Sequence, residues 1–322
     1  MRERVMVVVG YDGAELLDIA CMTTALGMAN NMGARHPYRI VVATPGGRPI
    51  ELHSGLTLAG PNSLERLKGP LDTLIVSGGL GHDDAAANPQ LVGHVRRLAK
   101  ESRRVASVCT GVTILAAAGI LDGKRVTTHW QYAGPFAARY PRVTVDPRPI
   151  FIRDGSVTTA AGVTSALDLA LAFVEEDHDA EVARTVSRYL VTYLQRPGNQ
   201  AQMSVFTAGP PPEHDLVRRV TAHVTAHLDG DLSTAALAAL VGVGARHLAR
   251  LFVDQIGYPP GRYVRRARVE AAANLLITTS LPMTGIARRC GFGSAETLRL
   301  AFLQQYGTSP SQFRAAHVRK AG

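Results

Sequence analysis

Cysteine is scarce: Cys21, Cys109 and Cys290 are the only three in 322 residues, and no two stand in CxxC spacing. This excludes a disulfide framework and disfavours structural zinc, and it suits free thiols in a reducing cytoplasm. Long apolar runs are also missing. The longest, VTILAAAGIL and ALDLALAFV, fall well short of the ~20 residues a membrane helix needs. The apolar run Val5 to Val9 is too short for a secretory h-region. A cytoplasmic protein with no membrane partner is expected. Aromatic residues make up only 6%, so any interface between copies should rest on aliphatic helix faces. With 46% hydrophobic and 19% charged residues, the composition is that of a globular protein and not of a disordered or collagenous one.

At about 150 residues per domain the length predicts two domains, and the charge separates them. Residues 1–212 carry 21 Lys and Arg against 19 Asp and Glu, whereas residues 213–322 carry 14 against 7, leaving +2 and +7. Hydrophobic periodicity lapses in QRPGNQAQMSVFTAGPPPEHD, whose three prolines cannot continue a helix. The expected organisation is a first domain at 1–195, a linker at 196–212 and a basic domain at 213–322.

In the basic third, Val217, Val220, Val224 and Leu228 step by three and four as a buried helical stripe should, with Gly230 as the stop. Ser233 caps TAALAALVGV, and a glycine turn at 242–244 leads into ARHLARLFVDQIG, with Leu248, Leu251 and Phe252 inward and Arg246, His247 and Arg250 outward. The pattern recurs: a short helix from Met283 to Cys290, a turn at 291–293, then a helix from Ser294. Leu298, Leu300, Ala301 and Phe302 are its packing candidates, and Ala295, Glu296, Thr297 and Arg299 its exposed ones. Between the units a helix from Pro259-Pro260 to Thr278 spans roughly 28 Å at 1.5 Å per residue. Such a rod can hold two reading helices about one DNA turn, roughly 34 Å, apart. The arginines are candidates for bidentate bonds to guanine or phosphate; Glu296 suits either cytosine N4 or the helix dipole. Cys290 reads as a small buried residue, and His223 and His227, lacking a third ligand nearby, as a solvated face.

These strings, ending in CGFGSAETLRLAFLQQYGTSPSQFR, resemble the double helix-turn-helix domain of AraC/XylS-type transcription regulators over about 100 residues. The resemblance implies double-stranded DNA as partner, with RNA polymerase a further candidate.

In the first two thirds, VMVVV, RIVVAT, TLIVSGG, RVASVC and SVTTA alternate with helical stretches from near Glu15, Pro89, Val112 and Thr164. The alternation predicts an α/β three-layer fold with a largely parallel sheet, whose sites gather at the carboxyl ends of strands. Asp18, Gly78, Gly79 and Cys109 fall near such ends, and His129 follows in DGKRVTTHW. Cys109-Thr110-Gly111 before a helix looks like a nucleophile elbow, where amides and dipole would favour thiolate. Gly78 and Gly79 could offer amides in the manner of an oxyanion hole. Cys21 reads as core, and GGLGHDDA, lacking the Walker pattern, as a surface loop.

VCTGVTILAAAGILDGKRVTTHW, with Asp18 beside the elbow cysteine, resembles the ThiJ/PfpI family, of flavodoxin-like, class I glutamine-amidotransferase-like fold, over about residues 4–190. Peptidase-like members carry His after the cysteine; Thr110 stands there, against proteolysis. Joined to an AraC-type tail, the chain resembles GlxA-type regulators. That implies a homodimeric regulator whose first domain senses a small-molecule effector through Asp18, Gly78, Gly79, Cys109, Thr110 and His129, with neither cofactor nor metal. The alternative is a hydratase-like cysteine enzyme carrying a DNA-binding tail. For Cys109 three roles stay open: hydratase-like chemistry, a ligand-binding or redox-sensitive thiol, and a structural relic.

Overall fold

The computed structural model describes residues 3–59, 62–192, 196, 198, 202 and 212–317. The chain divides into two compact units, Met1–Gln202 and Met203–Gly322. Most of the expected linker lies outside the described residues. Within it, Arg196 binds Asp168 through its backbone N–H (2.7 Å) and its guanidinium (2.7 Å), and the Gln202 amide donates to the Thr128 carbonyl (2.7 Å).

In chain order the first unit contains β1 (Arg4–Val9), α1 (Leu16–Asn31), β2 (Tyr38–Thr44), β3 (Ile50–Glu51), β4 (Thr57–Leu58), β5 (Asn62–Ser63) and β6 (Leu71–Val76). It continues with α2 (His82–Ala87), α3 (Pro89–Lys100), β7 (Ser102–Val108), α4 (Val112–Ala117), β8 (Arg125–Val126), α5 (Trp130–Arg139) and β9 (Thr144–Val145). β10 (Phe151–Asp154), β11 (Val157–Ala160), α6 (Ser165–Asp177) and α7 (Ala180–Tyr189) complete it. The five apolar runs form β1, β2, β6, β7 and β11. Seven strands pair in the order β10-β11-β7-β6-β1-β2-β5, parallel throughout except β10 with β11. Runs of valine buried on both sides, as at Val7, Val8 and Val9, suit a sheet covered on both faces. Helices α1, α6 and α7 pack together as one layer and α2, α3 and α4 as another. At the amino ends of the strands Arg104 is buried against the Phe173 ring and pairs with Asp177 (2.7 Å) and Glu176 (2.9 Å).

The second unit is helical: α8 (Asp215–Ala226), α9 (Thr234–Leu240), α10 (Ala245–Ile256), α11 (Pro260–Thr278), α12 (Met283–Arg289), α13 (Ala295–Tyr306) and α14 (Pro310–His317). Helix α8 ends at Ala226 with its cap at His227, ahead of the expected stop at Gly230. The rings of His223 and His227 stack at 4.3 Å. Two small cores result. Val217, Val220, Val224, Leu237, Leu248 and Phe252 build the first, and Ile286, Cys290, Leu298, Phe302, Tyr306 and Phe313 the second. Helix α11 serves both, with Tyr263, Val264 and Ala267 in one and Val269, Ala272, Ala273 and Leu276 in the other.

Candidate functional site

Cys109 directly follows β7 with φ of 53°, a left-handed conformation uncommon outside glycine, and begins a single 3₁₀ turn through Gly111. Asp18 on α1 is fully buried beside it. One of its carboxylate oxygens accepts from the Gly78 N–H (2.9 Å) and the other from the Val163 N–H (2.9 Å). Burial pushes the Asp18 carboxyl up to about 7 in spite of these bonds, which favour the charged form. Gly78 fills the narrow space between the two. A Cβ there would stand 2.4 Å from the Cys109 Cβ and 2.8 Å from an Asp18 oxygen. The Thr110 hydroxyl accepts from the Gly79 N–H (2.9 Å) and donates to the Gly79 carbonyl (2.8 Å).

Two expectations meet opposition in this geometry. The amides of Gly78 and Gly79 are already engaged, by Asp18 and Thr110, and do not form an empty oxyanion hole. The environment of the sulfur also works against the expected thiolate. Burial, and then the nearby Asp18, push the Cys109 thiol up to about 12 against the bonds from Thr110. Helix α4 is only six residues long, too short for a full macrodipole to reverse this.

Asp18, Gly78, Gly79, Cys109 and Thr110 thus come together, while His129 stands to one side. Its ring caps α5 by accepting from the Gln131 N–H (3.4 Å) and lies beside Trp130 and Tyr132, with ring centroids at 5.6 and 5.8 Å. Burial lowers its pKa. Among the described residues no hydrogen bond joins it to Cys109; its neighbour Thr128 donates to the Cys109 carbonyl (2.8 Å). Sequence reasoning missed Gly162 and Val163, which close the elbow from the end of β11. A Cβ at Gly162 would come 2.9 Å from the Cys109 sulfur. The signal was present: a glycine in TTAAGVTS at the carboxyl end of a strand. GGLGHDDA is also more ordered than a surface loop, because its second half starts α2 and buries His82. Cys21 is half-buried at the edge of the core.

In the second unit α9 and α10 meet at 92°, within the range of a helix-turn-helix. Arg246, His247 and Arg250 are exposed on α10, and the Arg250 guanidinium lies 3.1 Å from the His247 Nδ1. On α13 the Arg299 guanidinium grips Glu296 with two bonds (2.7 and 2.8 Å). Each lies one turn from the other, and the pair occupies both groups. Thr297 forms a capping box with Ser294, and Ala295 is half-buried. Leu300, expected to pack, is instead 53% exposed, because Leu298, Ala301 and Phe302 already make the inward face. Thr297 and Leu300 line a groove of about 720 Å³ with Ser233, Thr234, Arg265 and Arg268.

Comparison with known proteins agrees with this architecture. Residues 3–176 match the DJ-1/PfpI family and residues 237–316 a helix-turn-helix domain. The HTH-type transcriptional regulator CdhR of Pseudomonas aeruginosa is 31% identical over 96% of this chain and 91% of its own. The HTH-type transcriptional regulator GlxA of Rhizobium meliloti is 30% identical over 93% of this chain and 92% of its own. A solved ThiJ/PfpI family protein from Pseudomonas syringae shares the fold with a TM-score of 0.56 at 24% identity, covering 75% of this chain and 92% of that one. With the first match spanning more than half of its length and the second lying in its basic unit, the chain belongs to the DJ-1/PfpI family, in the branch that carries a helix-turn-helix domain.

Proposed function

We propose that the protein is a sequence-specific DNA-binding transcription regulator. The observation that carries this is the pair of helix-turn-helix units built on one shared helix, α11, in a segment of net charge +7. Relatives named as HTH-type transcriptional regulators, aligned over almost the whole chain, support it. In this reading Arg246, His247 and Arg250 on α10, and Ala295, Glu296, Thr297 and Arg299 on α13, approach the duplex. Residues 1–195 sense an effector and pair two copies, residues 196–212 join the domains, and residues 213–322 bind DNA in the cytoplasm, where RNA polymerase is the further partner.

The effector site is the group formed by Asp18, Gly78, Gly79, Cys109 and Thr110, with His129 at its side. A ligand there acts only if it binds two arrangements of the protein with different affinity, and coupling of about 1–3 kcal/mol is ordinary. The role is recognition, not turnover: a thiol held at about 12 beside an aspartate is a weak nucleophile.

The test is selection of bound duplexes from a random library, followed by a salt titration. Tight binding of a defined sequence that weakens steeply with salt is expected. Arg250→Ala should weaken the selected site roughly 5- to 150-fold and random DNA much less. Affinity that ignores sequence would refute the reading, and Cys109-dependent turnover of a small electrophile would favour an enzyme.

A further inference from the structure

The two units repeat each other at a constant offset. Leu248 and Leu298 are fully buried at equivalent places, as are Phe252 and Phe302. Both helices run 12 residues, and both end at a left-handed glycine, Gly257 and Gly307. The following helices start at Pro260 and Pro310, and Tyr263 and Phe313 enter the two cores at matching positions. In this register Arg250 of α10 corresponds to Leu300 of α13, while Arg299 corresponds to Ala249.

Helix geometry points the same way. At about 100° per residue, Leu300 lies roughly 150° around α13 from the middle of the buried face made by Leu298, Ala301 and Phe302, whereas Arg299 lies on the flank. The centre of the outward face is therefore apolar: Leu300 is 53% exposed and Leu303 41%, beside a Glu296 already neutralised by Arg299. The counterpart position in the first unit holds an arginine, and the domain carries +7, so the surface that covers this face is polyanionic and not an apolar protein core.

We propose that Leu300 is a specificity-determining residue that reads thymine by packing against its C5-methyl group in the major groove. Such apolar contact is how the methyl is distinguished there. The two units then read different chemistry. The first uses arginine, whose contacts weaken with salt, and the second uses an apolar contact that does not. This rests on the DNA-binding reading above.

The test first alters the DNA, then asks which protein variant loses sensitivity to the change. In a duplex selected by the full chain, each thymine is replaced in turn by deoxyuridine, which lacks only the methyl. One or two positions should weaken wild-type binding about four-fold, equivalent to the roughly 0.8 kcal/mol of one buried methylene-sized group. Leu300→Ala should bind that duplex with no further loss on the same replacements, while Arg250→Ala keeps the full four-fold sensitivity. The assignment is overturned if no deoxyuridine matters to wild type, or if Leu300→Ala remains as sensitive. An unchanged affinity of Leu300→Ala for the thymine duplex also overturns it and turns this face toward a protein. Failure to bind any duplex overturns DNA binding itself, and this assignment with it.

Discussion

Asp18→Asn should change how stability depends on pH. The native carboxyl titrates at about 7 against 3.8 for the free group, because burial penalises its charge more than the Gly78 and Val163 N–H groups favour it. Between these values the native state holds a proton that the unfolded chain lacks. The contribution of Asp18 is therefore fully present below about pH 4 and is lost as pH rises through 7. Roughly three pH units at about 1.36 kcal/mol each give at most about 4 kcal/mol. Asparagine does not titrate. It can accept from only one of the two N–H groups and sets its own NH₂ against the other, a loss of about 1–3 kcal/mol at every pH. Relative to wild type, the variant should thus gain about 3 kcal/mol between about pH 4.5 and about pH 8. Groups that titrate in both proteins, such as Asp146 and His82, cancel in the difference. Urea unfolding read by Trp130 fluorescence reports the first unit alone, since that is the chain's only tryptophan. A stability difference that is flat across this range would refute the account of a carboxyl kept protonated by burial.

Cys109 should resist iodoacetamide in the native protein at pH 7 and react readily in urea; fast native labelling, located by peptide mass spectrometry, would contradict a thiol held at about 12. Gly162→Ala should destabilise the first unit by more than about 1 kcal/mol, because φ is 134° and the added Cβ meets the Cys109 sulfur at 2.9 Å; an unshifted urea midpoint would be the contrary result. Glu296→Ala frees Arg299 and removes a negative charge from the reading helix, so affinity for random DNA should rise and its logarithmic salt dependence steepen by up to about one contact. Anisotropy titrations at several salt concentrations check this, and an unchanged slope would leave Arg299 without a phosphate.

The elements legible in the sequence were those whose pattern is local. Runs such as VMVVV and RVASV became strands because valine on both faces needs a buried parallel sheet, and Pro260–Thr278 began and ended as its proline and periodicity required. Strand β10 was not read, because its Phe151 and Ile152 are followed by Arg153 and Asp154 and it pairs only as an antiparallel edge. The elbow could be read as a set of residues but not as an electrostatic state. A cysteine before a helix suggests thiolate, and the resemblance already set Asp18 beside it; only the assembled fold reveals how deeply both groups are buried. Leu300 misled for a related reason. In LRLAFL every third or fourth position is apolar, so periodicity cannot choose which leucine faces inward until Leu298 and Phe302 have filled the core.

Helix α11 carries a consequence for how such a protein can change over time. Because roughly opposite faces of this rod enter the two small cores, inserting a single residue near its middle would turn the second unit by about 100° and shift it by about 1.5 Å. The two reading helices could then no longer meet one side of a duplex together. Substitutions on the outward faces of α10 and α13 have no such penalty, since neither core contains them. Mutation is thus free to rewrite the letters that each unit recognises, while the distance between the two words stays fixed by the length of one helix.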